Sequence, residues 1–211
     1  VQIKPMLARL QSAVGRDDLI EQMVLLPEPK EPFSKKPQRE KAVNLIVAYD
    51  ASPNSHTALD IAFWIAHQTR LATNAEVTVQ AVYVIEDNQS SQYSNILTFP
   101  EQQPQLERQV TETSKSATQV LTQPQLQTVV TPLQQADIIL WQARSLAEEW
   151  QGSFKSHLRF GIISTELNRV VESETADILF LGCKSVDHPM IEALGSNFPC
   201  AVLGIPSCID E

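Results

Sequence analysis

The stretch that most narrows the choice of fold is VNLIVAYDASPNSHTALDIAFWIAH, residues 43–67. Its first half, Asn44 to Tyr49, is a short, largely apolar run too continuous for a strand with one wet face, so it reads as a parallel strand covered on both faces. Asp50, Ala51, Ser52 and Pro53 then break it: an acid at the strand's carboxyl end, a serine placed to cap a helix, and a proline at the first helical position, where a missing N–H costs nothing. A helix follows. Ala58, Leu59, Ala62, Phe63 and Ala66 recur at helical spacing and give it a stripe that lies back on the sheet, the first half of a strand-helix-strand unit. In open parallel sheets ligands sit beyond the carboxyl ends of the strands where strand order reverses, which makes Asp50 and the amides after it the expected functional edge.

The same alternation continues down the chain. Glu76 to Ile85 is β-branched and apolar and is expected as the second strand. Ala136 to Gln151 places Ile139, Ala143, Leu146 and Trp150 on one face of a second crossover helix, ended by Gly152. Ser156 to Gly161 is the third strand. Ser164 to Glu174 is a helix with Ser164 as its cap and Glu166, Leu167, Val170 and Val171 behind it, and Asp177 to Gly182 is a fourth, buried strand. A short helix from His188 to Asn197 precedes the last strand, Cys200 to Ile205. The expected fold is α/β, a doubly wound five-stranded parallel sheet. Trp64, Trp141 and Trp150 fall on apolar helix faces and are assigned to core packing, while His67 and His157 have no evident partner.

Two segments stand outside this pattern. Residues 1–42 form an amino-terminal arm with helices over Pro5–Val14, ended by Gly15, and over Asp18–Leu26, capped by Asp17. Leu7, Leu10 and Val14 make one stripe, and Leu19, Ile20, Met23 and Val24 the other. Such pieces have no core of their own, so the arm either docks on the main domain or contacts a partner. Residues 27–41, PEPKEPFSKKPQREK, are a semi-stiff linker. The main domain, 43–211, carries a Gln/Ser/Thr-rich insertion at 88–133, in which Leu106, Val110, Ala117, Val120 and Leu121 suit one amphipathic helix. Insertions of this length often serve binding, so a protein partner is expected at the arm or the insertion.

Charge and composition remove several function classes. The net charge of −9 is uneven: residues 1–42 hold eight Lys/Arg against six Asp/Glu, leaving eight against nineteen for the rest. So acidic a body repels phosphodiester backbones, and no nucleic-acid partner is expected. No apolar run approaches the roughly 20 residues of a membrane span, and the amino terminus lacks the pattern of a secretory leader. Three cysteines, Cys183, Cys200 and Cys208, fit reduced thiols in a cytoplasm better than a disulfide framework.

Asp50-Ala-Ser-x-x-Ser55-x-x-Ala58-Leu59, then Tyr83-Val-Ile85, then Ala176-Asp-Ile-Leu-Phe-Leu-Gly182, taken together and in order, resemble a universal stress protein domain over about residues 43–87 and 134–206. The resemblance implies a flavodoxin-like sheet of strand order 3-2-1-4-5 and frequent homodimers paired through the last strand. It also implies ATP binding, with Asp50 and Val84 at the adenine end and Ala51 and Ser52 beside them. In such a site a Gly-x-x-Gly-(nine residues)-Gly-Ser/Thr pattern cradles ribose and phosphates, followed by a helix whose amides hold the phosphates. Gly182-Cys-Lys184-Ser185, nine residues, Gly195-Ser196 meets the count with Ser185 in place of the second glycine. A serine forced into a left-handed conformation costs on the order of 1–2 kcal/mol. Only three residues separate Ser196 from Cys200, too few for a helix. The expectation is therefore a regulatory binding module with a degenerate nucleotide site; the alternative is an ATP sensor, with Mg, in which Lys184 meets a phosphate.

Other chemistry finds less support. Cys183 with His188 could suggest a metal or a reactive thiol, but one Cys-His pair lacks zinc's four-ligand geometry. His56, in the first turn of its helix, could face the same cleft. No phosphate loop of the Gly-x-x-x-x-Gly-Lys type, nucleophile elbow or paired zinc motif is present, so no enzyme is expected beyond slow ATP hydrolysis. A phospho-receiver needs its Asp after strand three, where this chain has Gly161.

Overall fold

A computed structural model describes residues 3–15, 18–29, 42–86 and 131–206. Its centre is β2 (Val43–Ala48), flanked in parallel by β3 (Val77–Ile85) and β5 (Ile178–Phe180). Outward lie β4 (Ser153–Phe160) beside β3 and β6 (Ala201–Leu203) beside β5, both parallel. The sheet has a sixth member: β1 (Val24–Leu26) pairs antiparallel with β6, giving the order β1-β6-β5-β2-β3-β4. The five parallel strands follow 3-2-1-4-5 in their own chain order.

Both faces are covered, as the unbroken apolar run of β2 requires. On one face α3 (Pro53–Thr73) and α4 (Pro132–Glu149) pack Leu59, Ala62, Phe63, Ile139 and Ala143 against Leu45, Val47 and Val79. On the other, α5 (Ile163–Ser173) and α6 (Pro189–Leu194) bring Leu167, Val170, Val171 and Ile191 against Ile46, Val82 and Val202. None of the described helices is long and apolar enough to cross a membrane.

The arm joins this core. In α1 (Ile3–Val14) and α2 (Leu19–Met23), the side chains of Leu7, Leu10, Leu19 and Met23 are buried in the cluster that contains Leu45 and Phe63. Gly15, at φ 74, closes α1. The second arm helix is shorter than its stripe suggests: Val24 takes an extended conformation, and Gly204 N–H donates to Met23 O at 2.7 Å, so the last three residues become β1. Its N-cap position is Asp18 rather than Asp17, and the Asp18 carboxylate accepts from Gln22 Nε2 at 2.6 Å instead of capping the backbone. Residues 30–41 of the linker and 87–130 of the insertion lie outside the described residues; 131–133 already belong to α4 and its cap.

Three more expectations need correction. α5 is not capped by Ser164: its N-cap position is Ile162, and Ser164 lies inside the first turn. α4 begins earlier than Ala136, because Thr131 and Gln134 form a reciprocal capping box with Pro132 at the first helical position. Trp141 is not a core residue: it stands 66% exposed on the outer face of α4. Trp150 meets its assignment, packing on the core and donating from Nε1 to Asp60 Oδ1 at 3.1 Å.

His157 does have a partner. Its Nε2 lies 2.7 Å from Oε1 of Gln80, a fully buried amide on β3 whose Nε2 donates to Asn44 Oδ1 at 3.4 Å. Burial pushes the His157 imidazole pKa down; Glu174 opposes this, and Lys155 and Arg159 add to it. A base whose folded pKa is lowered contributes stability that is complete above its unfolded value and lost as pH falls through the folded one. The urea midpoint is therefore expected to drop on acidification below about 6.5, and His157→Gln to flatten that drop; an equal drop in the variant contradicts the assignment.

Candidate functional site

At the carboxyl end of β2 the chain must turn sharply into α3, and four consecutive residues make the turn. Tyr49 N–H still donates to Val82 O at 2.9 Å, extending the ladder. Ala51 then adopts φ 64, a left-handed conformation a residue with a Cβ rarely takes. The Asp50 carboxylate secures it by accepting from Ser52 N–H at 2.9 Å. Ser52 is the N-cap of α3, its Oγ accepting from Ser55 N–H at 3.2 Å. Ser52→Ala is expected to lower stability by about 1 kcal/mol in urea unfolding, the usual worth of such a cap; no loss contradicts the capping role.

Beyond this turn a cleft of about 230 Å³ opens between the ends of β2, β3 and β5. Asp50, Ser52, Val84 and Gly182 line it; the walls are otherwise largely apolar, with Ile163, Leu167, Leu181 and Met190. Among the described residues that line it, Asp50 is the one carboxylate and none is Lys or Arg. Burial pushes the Asp50 carboxyl up, but hydrogen bonds from Ser52 and Ser55 outweigh it and leave the group below its ordinary value, hence ionised at neutral pH. Burial raises the Tyr49 phenol to about 12, with Asp50 and Asp60 adding to it.

The expected site residues do not all meet here. Ala51 and Lys184 are half-buried beside the cleft but do not line it, and Ser185 is exposed. Gly195 and Ser196 line a separate groove of about 450 Å³, facing Ser164, Thr165 and Asn168 of α5. Ser185 is not forced into a left-handed conformation: among the described non-glycine residues only Ala51, Asn74, Gln151 and Thr175 have positive φ. Instead Ser185 Oγ accepts from Asp187 N–H at 3.1 Å in a local turn. Gly182 has a packing reason to be glycine, since a Cβ there would lie 2.9 Å from Ser55 N. From Gly195 to Cys200 the chain makes turns and bends and no helix.

Two residues given other readings belong to the cleft. Cys183 and His188 line it. Burial raises the Cys183 thiol to about 11, keeping it protonated and a poor nucleophile. His188 Nδ1 accepts from Met190 N–H at 3.2 Å as the cap of α6. No group of three or more His, Cys, Asp or Glu among the described residues could hold a metal. His56 does not line the cleft; its Nδ1 lies 3.0 Å from the Tyr49 hydroxyl, the rings meeting edge to face. Sequence reasoning missed Tyr83, Leu181 and Met190 as lining residues, although Tyr83 and Leu181 flank Val84 and Gly182 directly.

The sequence model of the universal stress protein family matches residues 43–198. The chain belongs to this family. A search of the curated proteins gave no match. Similar solved structures include a universal stress protein family member from Burkholderia pseudomallei, 17% identical, with 78% of this chain and 96% of that one covered at a TM-score of 0.48. An Arabidopsis thaliana family protein with AMP bound is 10% identical, covering 80% and 94% at 0.49. The Archaeoglobus fulgidus universal stress protein in complex with dAMP is 12% identical, covering 78% and 99% at 0.44. In this universal stress protein domain Asp50 and Val84 line one cleft, whereas Gly195 and Ser196 line another.

Proposed function

We propose that the chain is a regulatory module of the universal stress protein family that acts by binding and not by turnover, with a nucleotide site reduced to its adenine end. The observation that carries this reading is the charge of the cleft: its described lining residues offer one carboxylate and no Lys or Arg. A triphosphate brought beside Asp50 meets repulsion that no cation among the described lining residues offsets. A flat, neutral ring with hydroxyl or amino donors suits the same lining, because Asp50 accepts hydrogen bonds and Val84, Leu167 and Leu181 supply apolar contact. The volume of about 230 Å³ is also small beside pockets that enclose larger ligands.

Thermal unfolding separates this reading from that of an ATP sensor. Millimolar Mg-ATP is expected to leave the midpoint no higher than adenosine does. A ligand at about 100 times its dissociation constant adds roughly 2.7 kcal/mol to native stability, so saturable stabilisation of that size by Mg-ATP, exceeding that of adenosine, overturns the proposal. The sensor reading has one observation in its favour: Asp50, Val84 and Gly182 share a single cleft.

A further inference from the structure

Strand β4 ends the sheet: it pairs with β3 on one side, and among the described residues no strand pairs with its other edge. Its eight residues make a long edge, where edges are ordinarily kept short or covered. Gly161 N–H donates to Ile85 O, so every second residue back from Gly161 faces β3. The amides of Ser156 and Leu158, between them, turn outward.

The side chains alternate as well. Phe154 packs on Phe63 beneath α4, and Phe160, on the same face, is 53% exposed. Lys155 and Arg159 lie on the opposite face, with His157 between them reaching Gln80. From Gln151 to Thr165 the chain holds these two cations and no Asp or Glu, in a body where acids outnumber Lys and Arg by nineteen to eight. Lys155 Nζ donates to Glu174 Oε1 at 2.6 Å, yet its side chain stays 51% exposed. Arg159 Nε is buried without a hydrogen-bond partner, a donor for which an incoming carboxylate is the natural acceptor. We propose that the outer edge of β4 takes an extended segment of a partner protein as an added strand, one in which acidic and apolar residues alternate. Opposed residues of neighbouring strands share a face, so the acids meet Lys155 and Arg159 while the apolar residues lie beside Leu158 and Phe160. A second copy of the chain fits less well. Two antiparallel β4 strands paired about His157 set Lys155 opposite Arg159, cation against cation.

The probe is a fluorescein-labelled peptide, matched in length to β4, that alternates Glu with Val or Thr; the full chain is titrated into it and anisotropy is read. Saturable binding is expected, about tenfold or more tighter than that of a peptide of the same composition with its acids grouped at one end. Ser156→Pro removes an outward amide and leaves the bonds to β3 in place, so binding is expected to fall about tenfold with the circular dichroism spectrum unchanged. Lys155→Ala/Arg159→Ala alters no backbone group and is expected to weaken binding by about the same factor. Absence of saturable binding at millimolar protein overturns the proposal. Equal affinity for the two peptides also overturns it, since charge alone then accounts for the attraction. A dimer in light scattering that Ser156→Pro returns to monomer overturns it too and assigns the edge to a second copy.

Discussion

Phe63→Ala is expected to lower unfolding free energy by about 3–5 kcal/mol, read as a fall in the urea midpoint at unchanged slope. Phe63 is fully buried on α3, where three elements meet. Its ring stacks on Trp150 at 6.4 Å and 13°, and tilts against Phe154 of β4 at 6.1 Å. A Cβ at Gly152 would lie 3.2 Å from the Phe63 ring, so the backbone after α4 closes directly over it. Alanine leaves a cavity that these rigid neighbours cannot collapse into. Domains of this kind are held by only about 5–15 kcal/mol, so the loss removes a large share of the total. Phe63→Leu keeps most of the volume and is expected to cost less than about 1.5 kcal/mol. Equal costs for the two variants would show that the aromatic cluster is not what is being lost.

Gly204→Ala is expected to cost about 3 kcal/mol for the opposite reason, a forced insertion. A Cβ at Gly204 would clash with Cys183 O and lie 2.8 Å from Leu25 Cδ1. The first contact is with backbone, which no rotamer change relieves. The second is with β1, so relief there would push the arm strand away from β6. Leu25→Ala added to Gly204→Ala removes the side-chain clash and leaves the carbonyl clash, so the pair is expected to show no rescue. Recovery of the midpoint in the double variant would mean that the carbonyl moves readily and that Leu25 was the obstacle.

Much of the fold is legible locally because its signals are short-range. Ser52 and Pro53 specify the start of α3, and the unbroken run Leu45–Val47 specifies a strand covered on both sides. Helix α5 shows Glu166, Leu167, Val170 and Val171 on its buried face, as their spacing implies. β1 is not legible in this way. Leu19, Ile20, Met23 and Val24 keep helical spacing, so a local pattern extends α2 through residues that a distant partner recruits instead. The pairing of Val24 with Leu203 and of Leu26 with Val202 joins opposite ends of the chain, and no window of sequence contains it. The Gln80–His157 bond is similar, although a glutamine amid Val77, Val79, Ala81 and Val82 signals that a buried amide needs a partner.

The candidate site divides along the same line. Asp50, Ser52 and Gly182 are placed by turns whose residues adjoin in sequence, and sequence reasoning brings them to one edge. Gly195 and Ser196 match a spacing, but spacing does not say which way a loop faces, and their loop turns towards Ser164 and Thr165. The short connection from Asn197 to Cys200 is the signal that does survive, because so few residues have no room for a helical turn.

The central claim is that the Asp50 cleft and the Gly195–Ser196 groove do not act as one nucleotide site. Amide chemical-shift mapping of the labelled protein with millimolar Mg-ATP tests it directly. The account predicts no joint, saturable shifts at Asp50, Val84 and Gly182 together with Gly195 and Ser196. Shifts at both sets titrating with one dissociation constant would contradict it.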